Sequence, residues 1–195
     1  LSRKGECERK TKETVISVSL DIDGEGKVAV STGLPFFDHM LELMCRHALF
    51  DARIEATGDL EVDSHHTVED TGLVLGYSLS EALGDKLGIT RFGFALVPMD
   101  ECLAQVVIDI SGRPYLYYEA DILPEKGVNF EPALARDFFK ALSDQAGLTM
   151  HIELKRSGGM HHSLEAIFKA CGRALKQAIS IDPRVKGIPS TKGLI

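Results

Sequence analysis

The segment Asp63-Ser64-His65-His66-Thr67-Val68-Glu69-Asp70 decides the fold, because its core returns as His161-His162-Ser163-Leu164-Glu165. A single His-His-x-x-Glu is a weak signal. Two copies in one chain of 195 residues, each in the same local context, indicate an internal duplication and a paired metal site. Ile54-Glu55 matches Ile152-Glu153 (152 − 54 = 98), and His65 matches His161 (161 − 65 = 96). The difference of two is a shorter loop, Thr57 to Ser64 being replaced by Lys155 to Met160.

Helical spacing explains the pentapeptide. Residues four apart share a helix face, so His65 and Glu69 can converge on one ion, as can His161 and Glu165. Neighbouring positions on a helix are about 100° apart, so His66 and His162 are free to reach a different ion. The simplest arrangement using all six groups binds two metals crosswise, each taking His and Glu from one motif and His from the other.

Outward from the motifs, apolar periodicity gives the elements. Ile16, Val18, Leu20 and Ile22 alternate with polar residues and read as a half-buried strand. Asp23-Gly24-Glu25-Gly26 reads as a turn, with Val28 and Val30 on the return strand. Gly33-Leu34-Pro35 opens a helix over 36–48, with Phe37, Met40, Leu41 and Met44 on its apolar side. A short strand through Ala52, Ile54 and Ala56 leads to His65 and a helix to about residue 84. The second half repeats this order, with a helix over 131–146 and a strand over 148–154. A helix from His161 to about Ile179 then carries the stripe Leu164, Ile167, Phe168, Cys171, Leu175 and Ala178. Residues 91–118 supply further strands. The class is α+β, two halves with helices packed on one face of each sheet. The chain divides into a flexible arm at 1–12, a first half at 13–90, a second half at 91–186 and a tail at 187–195.

Composition narrows the function. The chain is 44% hydrophobic, enough for a substantial core, and has no run of roughly 18 apolar residues that would span a membrane. Its polar start lacks the apolar region of a signal peptide. A net charge of −7 disfavours nucleic acid and anionic membrane as partners. The four cysteines (Cys7, Cys45, Cys102, Cys171) show no Cys-x-x-Cys spacing, which suits a reducing cytoplasm and argues against a structural zinc site.

Further groups join the metal motifs. His39 lies in the first helix, and the offset of 98 places Asp137 as its counterpart, so each is a candidate ligand of one ion. Imidazole and carboxylate without thiolate suit Mn, Fe, Co, Ni or Zn. Lys169 stands on the face of His161 and Glu165, about 12 Å along the axis from His161, where a cation could hold the far end of an anionic ligand. The tail Ile188-Pro189-Ser190-Thr191-Lys192-Gly193 has a phosphate-friendly composition. Arg91 and Arg113, at turns flanking the central strands, could complete a phosphate clamp.

The chain resembles the imidazoleglycerol-phosphate dehydratase family of histidine biosynthesis. The resemblance is carried by Gly33-Leu34-Pro35-Phe36-Phe37-Asp38-His39-Met40-Leu41, the two His-His segments, Pro98-Met99-Asp100-Glu101 and the tail, and it runs from about Lys12 to the C-terminus. It implies an internally duplicated βαβ-type fold (ribosomal protein S5 domain 2-like) and a large oligomer of roughly 24 subunits built from trimers. It also implies metal sites completed between subunits and two Mn²⁺ ions per active site. The implied ligands are His39, His65, His66, Glu69, His161, His162 and Glu165. Many members carry a further His where this chain has Asp137, a carboxylate that can still ligate; His151 is a weaker stand-in, since its duplicate position is Arg53. The resemblance assigns the substrate to Glu13, His39, Arg91, Arg113, Lys169, Ser190, Thr191 and Lys192. Glu13 is the acid–base group, with Glu69 and Glu165 also catalytic.

The implied reaction converts imidazole glycerol phosphate to imidazole acetol phosphate and water. The proton lost is not adjacent to a carbonyl, so an ordinary enolate route is closed. Two Lewis-acidic ions on the ring nitrogens would instead stabilise an imidazolate that expels the C3 hydroxyl. A carboxylate such as Glu13 would then take the C2 proton, giving the enol and the ketone. A rival reading, a dinuclear phosphoesterase, would place basic residues beside the metals. A metal-storage or sensing protein would not need the Ser190-Thr191-Lys192 tail or the paired arginines.

Overall fold

A computed structural model describes residues 3–195. Two copies of one unit follow each other. The first runs β1 (Lys4–Lys10), β2 (Thr14–Asp21), β3 (Val28–Ser31), α1 (Pro35–Ala48), β4 (Asp51–Gly58) and α2 (His65–Leu83). The second runs β5 (Phe92–Met99), β6 (Cys102–Asp109), β7 (Tyr115–Glu119), α3 (Ala133–Ala146), β8 (Thr149–Arg156) and α4 (Met160–Ile179). The sheets have matching orders, β1-β2-β4-β3 and β5-β6-β8-β7. All pairings are antiparallel except β3 with β4 and β7 with β8.

The register shows how deep the duplication goes. Val18 and Val30 both face Ile54; Val106 and Tyr118 both face Ile152. The early strands are thus offset by 88 (106 − 18) and the later elements by 98. The missing ten residues sit in the long connection from β7 to α3, whose Phe130 packs on Phe36 and Phe37.

Two expectations change. Residues 4–10, read as part of a flexible arm, form β1, an edge strand paired along its length with β2. Its outward residues are charged and its core contact is small, so the sequence pattern is weak. Residues 91–118 form the first three strands of the second half. Val28 and Val30 do not return beside β2, because β4 lies between. The six-residue connection is too long for a tight hairpin, and its Glu25 and Lys27 N–H groups donate to Asp51 Oδ1, 2.8 Å each, at the start of β4.

The helices fill the space between the sheets, α2 against β1 and β2, α4 against β5 and β6. Across the halves, α1 packs on α4 and α3 on α2. Glycines permit these crossings. A Cβ on Gly172 of α4 would sit 2.2 Å from Met44 O of α1, and one on Gly76 of α2 would sit 2.9 Å from Leu142 O of α3. The read stripe of α4 is buried, as are Phe37, Met40, Leu41 and Met44 of α1. Among the described residues, no helix is long and apolar enough to cross a membrane.

Candidate active site

The crossing of α1 on α4 brings the first cluster together. Glu165, buried near the start of α4, accepts at Oε1 from His39 Nε2 (2.8 Å) and His161 Nε2 (2.9 Å). One ligand atom from each of His39, His161 and Glu165 lies within 4.8 Å of the others. The other carboxylate oxygen, Oε2, pairs with Lys169 Nζ at 2.5 Å. Burial pushes the Glu165 carboxyl up, but bonds from Lys169, His39 and His161 outweigh it and hold it at about 2.

The crossing of α3 on α2 gives the counterpart. His65 lies with Nε2 3.5 Å from Glu69 Oε2 and Nδ1 3.3 Å from Asp137 Oδ2. This cluster is looser and more exposed, Glu69 having 48% side-chain exposure against 9% for Glu165. His39 and Asp137 thus occupy the places that the offset of 98 gives them, each serving the motif of the other half.

His66 and His162 turn away, as their adjacency to His65 and His161 predicts. Ring centroids within each pair are 6.1 Å apart and the planes lie at 70° and 86°. His66 Nδ1 lies 3.1 Å from Asp59 Oδ2, and His162 Nδ1 lies 3.1 Å from Glu101 Oε2. These bonds raise the pKa of both rings. The Glu101 carboxyl is held at about 2 by its own backbone N–H, the His162 ring and the Gly159 N–H. Asp100, Glu101 and His162 form a second group of close metal-binding atoms.

The crosswise pairing of the two motifs does not form within one chain. Among the described residues, no hydrogen bond or ion pair joins His65, His66 or Glu69 to His161, His162 or Glu165. The helices α2 and α4 lie under different sheets, which keeps the motifs apart.

The expected phosphate clamp is also divided. Arg91 is bound at Nε and Nη2 to Asp109 (2.7 and 3.1 Å) and donates from Nη1 to Pro189 O at 2.9 Å. It therefore anchors the tail beside Ser190, while Arg113 lies 3.8 Å from the same Asp109 and stays exposed. Thr191 and Lys192 are exposed on that tail. Lys169 is elsewhere: its Nζ reaches Met99 Sδ, at the far end of β5 from Arg91, about 23 Å of extended strand away. His151 stacks on Tyr117 on the outer face of the second sheet and joins neither cluster.

Glu13 stands in the β1–β2 hairpin, just before β2, and its charge acts on His66. Among the described residues its carboxylate makes no hydrogen bond. Sequence reading gave no role to Asp59, Glu101 or Asp109. The offset of 88, carried back to the hairpins, would have paired Glu13 with Glu101 (101 − 13 = 88).

The profile of the family described as imidazoleglycerol-phosphate dehydratase matches residues 32–175. The chain belongs to the imidazoleglycerol-phosphate dehydratase family. It is 52% identical over 193 residues to the dehydratase of Caldanaerobacter subterraneus, covering 99% of this chain and all of that one. It is 50% identical over 195 residues, all of both chains, to that of Acetivibrio thermocellus. The crystal structure of the Staphylococcus aureus dehydratase superposes with a TM-score of 0.83 at 41% identity, over 92% of this chain and 99% of that one. That of the Pyrococcus furiosus enzyme, solved in complex with (S)-C348, gives 0.84 at 36% over 97% and 100%. Membership makes the chain a hydro-lyase of histidine biosynthesis, and the duplicated α+β fold is the family's.

Proposed function

We propose that this chain dehydrates imidazole glycerol phosphate to imidazole acetol phosphate in the cytoplasm, as a large homo-oligomer built from trimers, with two Mn²⁺ ions at each site. The observation that carries the metal reading is the convergence of His39, His161 and Glu165 within 4.8 Å. Two imidazoles and a carboxylate, with no thiolate, fit a divalent ion such as Mn²⁺. The first set is His39, His161 and Glu165; the second is His65, Glu69 and Asp137. His66 and His162 face away from their own clusters. A neighbouring copy supplies them, so that the crosswise pattern forms between subunits. When bound, the ions would supply Lewis acidity to the substrate's imidazole.

The chain's own groups do the rest. Glu13, without a competing hydrogen bond and close to His66, takes the C2 proton at its carboxylate. Arg113, Ser190, Thr191 and Lys192 hold the phosphate, with Arg91 fixing the tail that carries three of them. Lys169 joins them from another copy, since within one chain it lies across the sheet.

Turnover of imidazole glycerol phosphate with added Mn²⁺ tests the reading. Imidazole acetol phosphate is the expected product; release of inorganic phosphate without it would favour the dinuclear phosphoesterase and sink the proposal. Glu13→Gln should lower kcat while leaving KM and metal content close to those of the unaltered protein. A wild-type rate in that variant would remove Glu13 from the proton transfer.

A further inference from the structure

We infer that Asp59 and Glu101 are positioning residues that fix the tautomer of His66 and His162, keeping the proton on Nδ1 and leaving Nε2 as the metal-binding atom. The inference rests on the metal reading above and adds two residues to it.

A neutral imidazole carries one N–H, and the nitrogen without it is the ligand. Each of these rings turns Nδ1 to both oxygens of a carboxylate. Asp59 lies 3.2 and 3.1 Å from His66 Nδ1; Glu101 lies 3.3 and 3.1 Å from His162 Nδ1. An ionised carboxylate can only accept, so the proton belongs on Nδ1. Nε2 then carries the lone pair on the side of the ring away from its own chain's acid. A carboxylate behind a ligating histidine fixes ring orientation and raises basicity.

The duplication provides an internal control. Asp59 comes from the loop between β4 and α2, Glu101 from the hairpin between β5 and β6. These places are not equivalent. The segment leading into α4 is two residues shorter and reads Lys155-Arg156-Ser157-Gly158-Gly159-Met160, with no acid. There Glu101 reaches across instead. Its Oε1 accepts from Gly159 N at 3.2 Å, and a Cβ on Gly158 would sit 2.1 Å from the same oxygen. The backbone is thus cut back to seat the acid. In the first half the matching hairpin residue is Glu13, which the loop acid releases for other work. Both halves place a carboxylate on the same ring nitrogen by different routes, which an accidental surface ion pair would not do twice.

The test uses full-length protein stripped of metal and reads two quantities. In ¹⁵N-histidine-labelled sedimented protein, solid-state NMR should show His66 and His162 protonated on Nδ1, each assigned by its loss in His66→Gln or His162→Gln. Asp59→Ala should move His66, and Glu101→Ala should move His162, toward the Nε2–H form. Calorimetric titration with Mn²⁺ should show affinity about 10- to 100-fold weaker in each variant, with the metal-free fold retained. Asp59→Glu and Glu101→Asp should recover part of that loss. Glu101 lies on an exposed hairpin, so Glu101→Ala carries the test if Asp59→Ala does not fold. Unchanged tautomers, or wild-type Mn²⁺ affinity in Glu101→Ala, would overturn the inference alone. Failure of the unaltered chain to bind Mn²⁺ would bring down the metal reading and the inference together.

Discussion

His39 Nε2 lies 2.8 Å from Glu165 Oε1, although the two stand 126 residues apart and in opposite halves of the duplication. Each half therefore lends a helix to the His-His-x-x-Glu segment of the other. The exchange makes both clusters products of the whole chain's folding. It also leaves His66 and His162 pointing outward, and that geometry has a consequence for mixed assemblies.

Sites shared between copies predict complementation. His66→Ala and His161→Ala chains should each be inactive. Mixed after chelation and reassembled with Mn²⁺, they should recover about one quarter of the unaltered activity. That is the share of sites in which an intact His161 meets an intact His66 when copies pair at random. No recovery on mixing would mean that each site is built within one chain.

The Glu165 carboxyl sets an acid limit on the metal-free protein. Its pKa is lowered from 4.5 to about 2, so the stabilisation is fully present above about 4.5 and is lost as pH falls toward 2. Urea unfolding of chelated protein should show this decline, and Glu165→Gln should flatten it. Lys169→Ala removes the strongest of the favourable partners, so its decline should be smaller and should end at higher pH. The same contact means that Lys169→Ala would disturb a proposed metal ligand as well as the proposed phosphate contact. Arg113→Ala, remote from both clusters, is the cleaner phosphate variant and should raise KM with metal content intact.

Backbone strain at the end of α1 offers a stability test. Leu49 closes that helix at φ 60°, while its counterpart after α3 is Gly147 at φ 65°. A left-handed residue with a Cβ costs about 1 kcal/mol or more, and Leu49 is 40% exposed. Leu49→Gly should therefore raise stability by about 0.5–1 kcal/mol, less than the full strain because glycine also frees the unfolded chain. The urea midpoint should rise with an unchanged slope. A lower midpoint would show that Leu49's apolar contacts outweigh its strain.

The helices and the two His-His-x-x-Glu segments were legible because they carry dense, local signals. The apolar stripe of α4 and the Pro35 start of α1 are matters of spacing within one element. His39 and Asp137 were found by the offset alone, and the structure puts both where it places them. The edge strands were harder. β1 presents charged residues outward and shares its pairing with one neighbour, so nothing in Lys4 to Lys10 marks it as a strand until β2 is beside it. The ten-residue insertion before α3 hid the offset of 88, and with it the pairing of Glu13 with Glu101. The bond from Arg91 to Asp109 spans two strands that only the register of β5 on β6 brings together. A residue's type gave its chemistry, but only tertiary placement showed that Arg91 is already engaged and that Lys169 lies elsewhere.

Asp137 is the counterpart of His39 under the offset of 98. Its Oδ2 stands 3.3 Å from His65 Nδ1, in the place that His39 takes beside Glu165 and His161. A carboxylate there keeps an oxygen donor and adds negative charge to a set that already holds Glu69, so the first-half site should still bind Mn²⁺. Calorimetric titration should resolve two binding steps in the unaltered protein. Asp137→Ala should weaken one of them by at least about tenfold, roughly 1.4 kcal/mol, and leave the other unchanged. Asp137→His should retain both steps, because imidazole replaces carboxylate as the donor. Two unaltered steps in Asp137→Ala would show that His65, Glu69 and the neighbouring copy's imidazole hold the ion without it. Asp137 would then be only the acid that orients His65 through Nδ1.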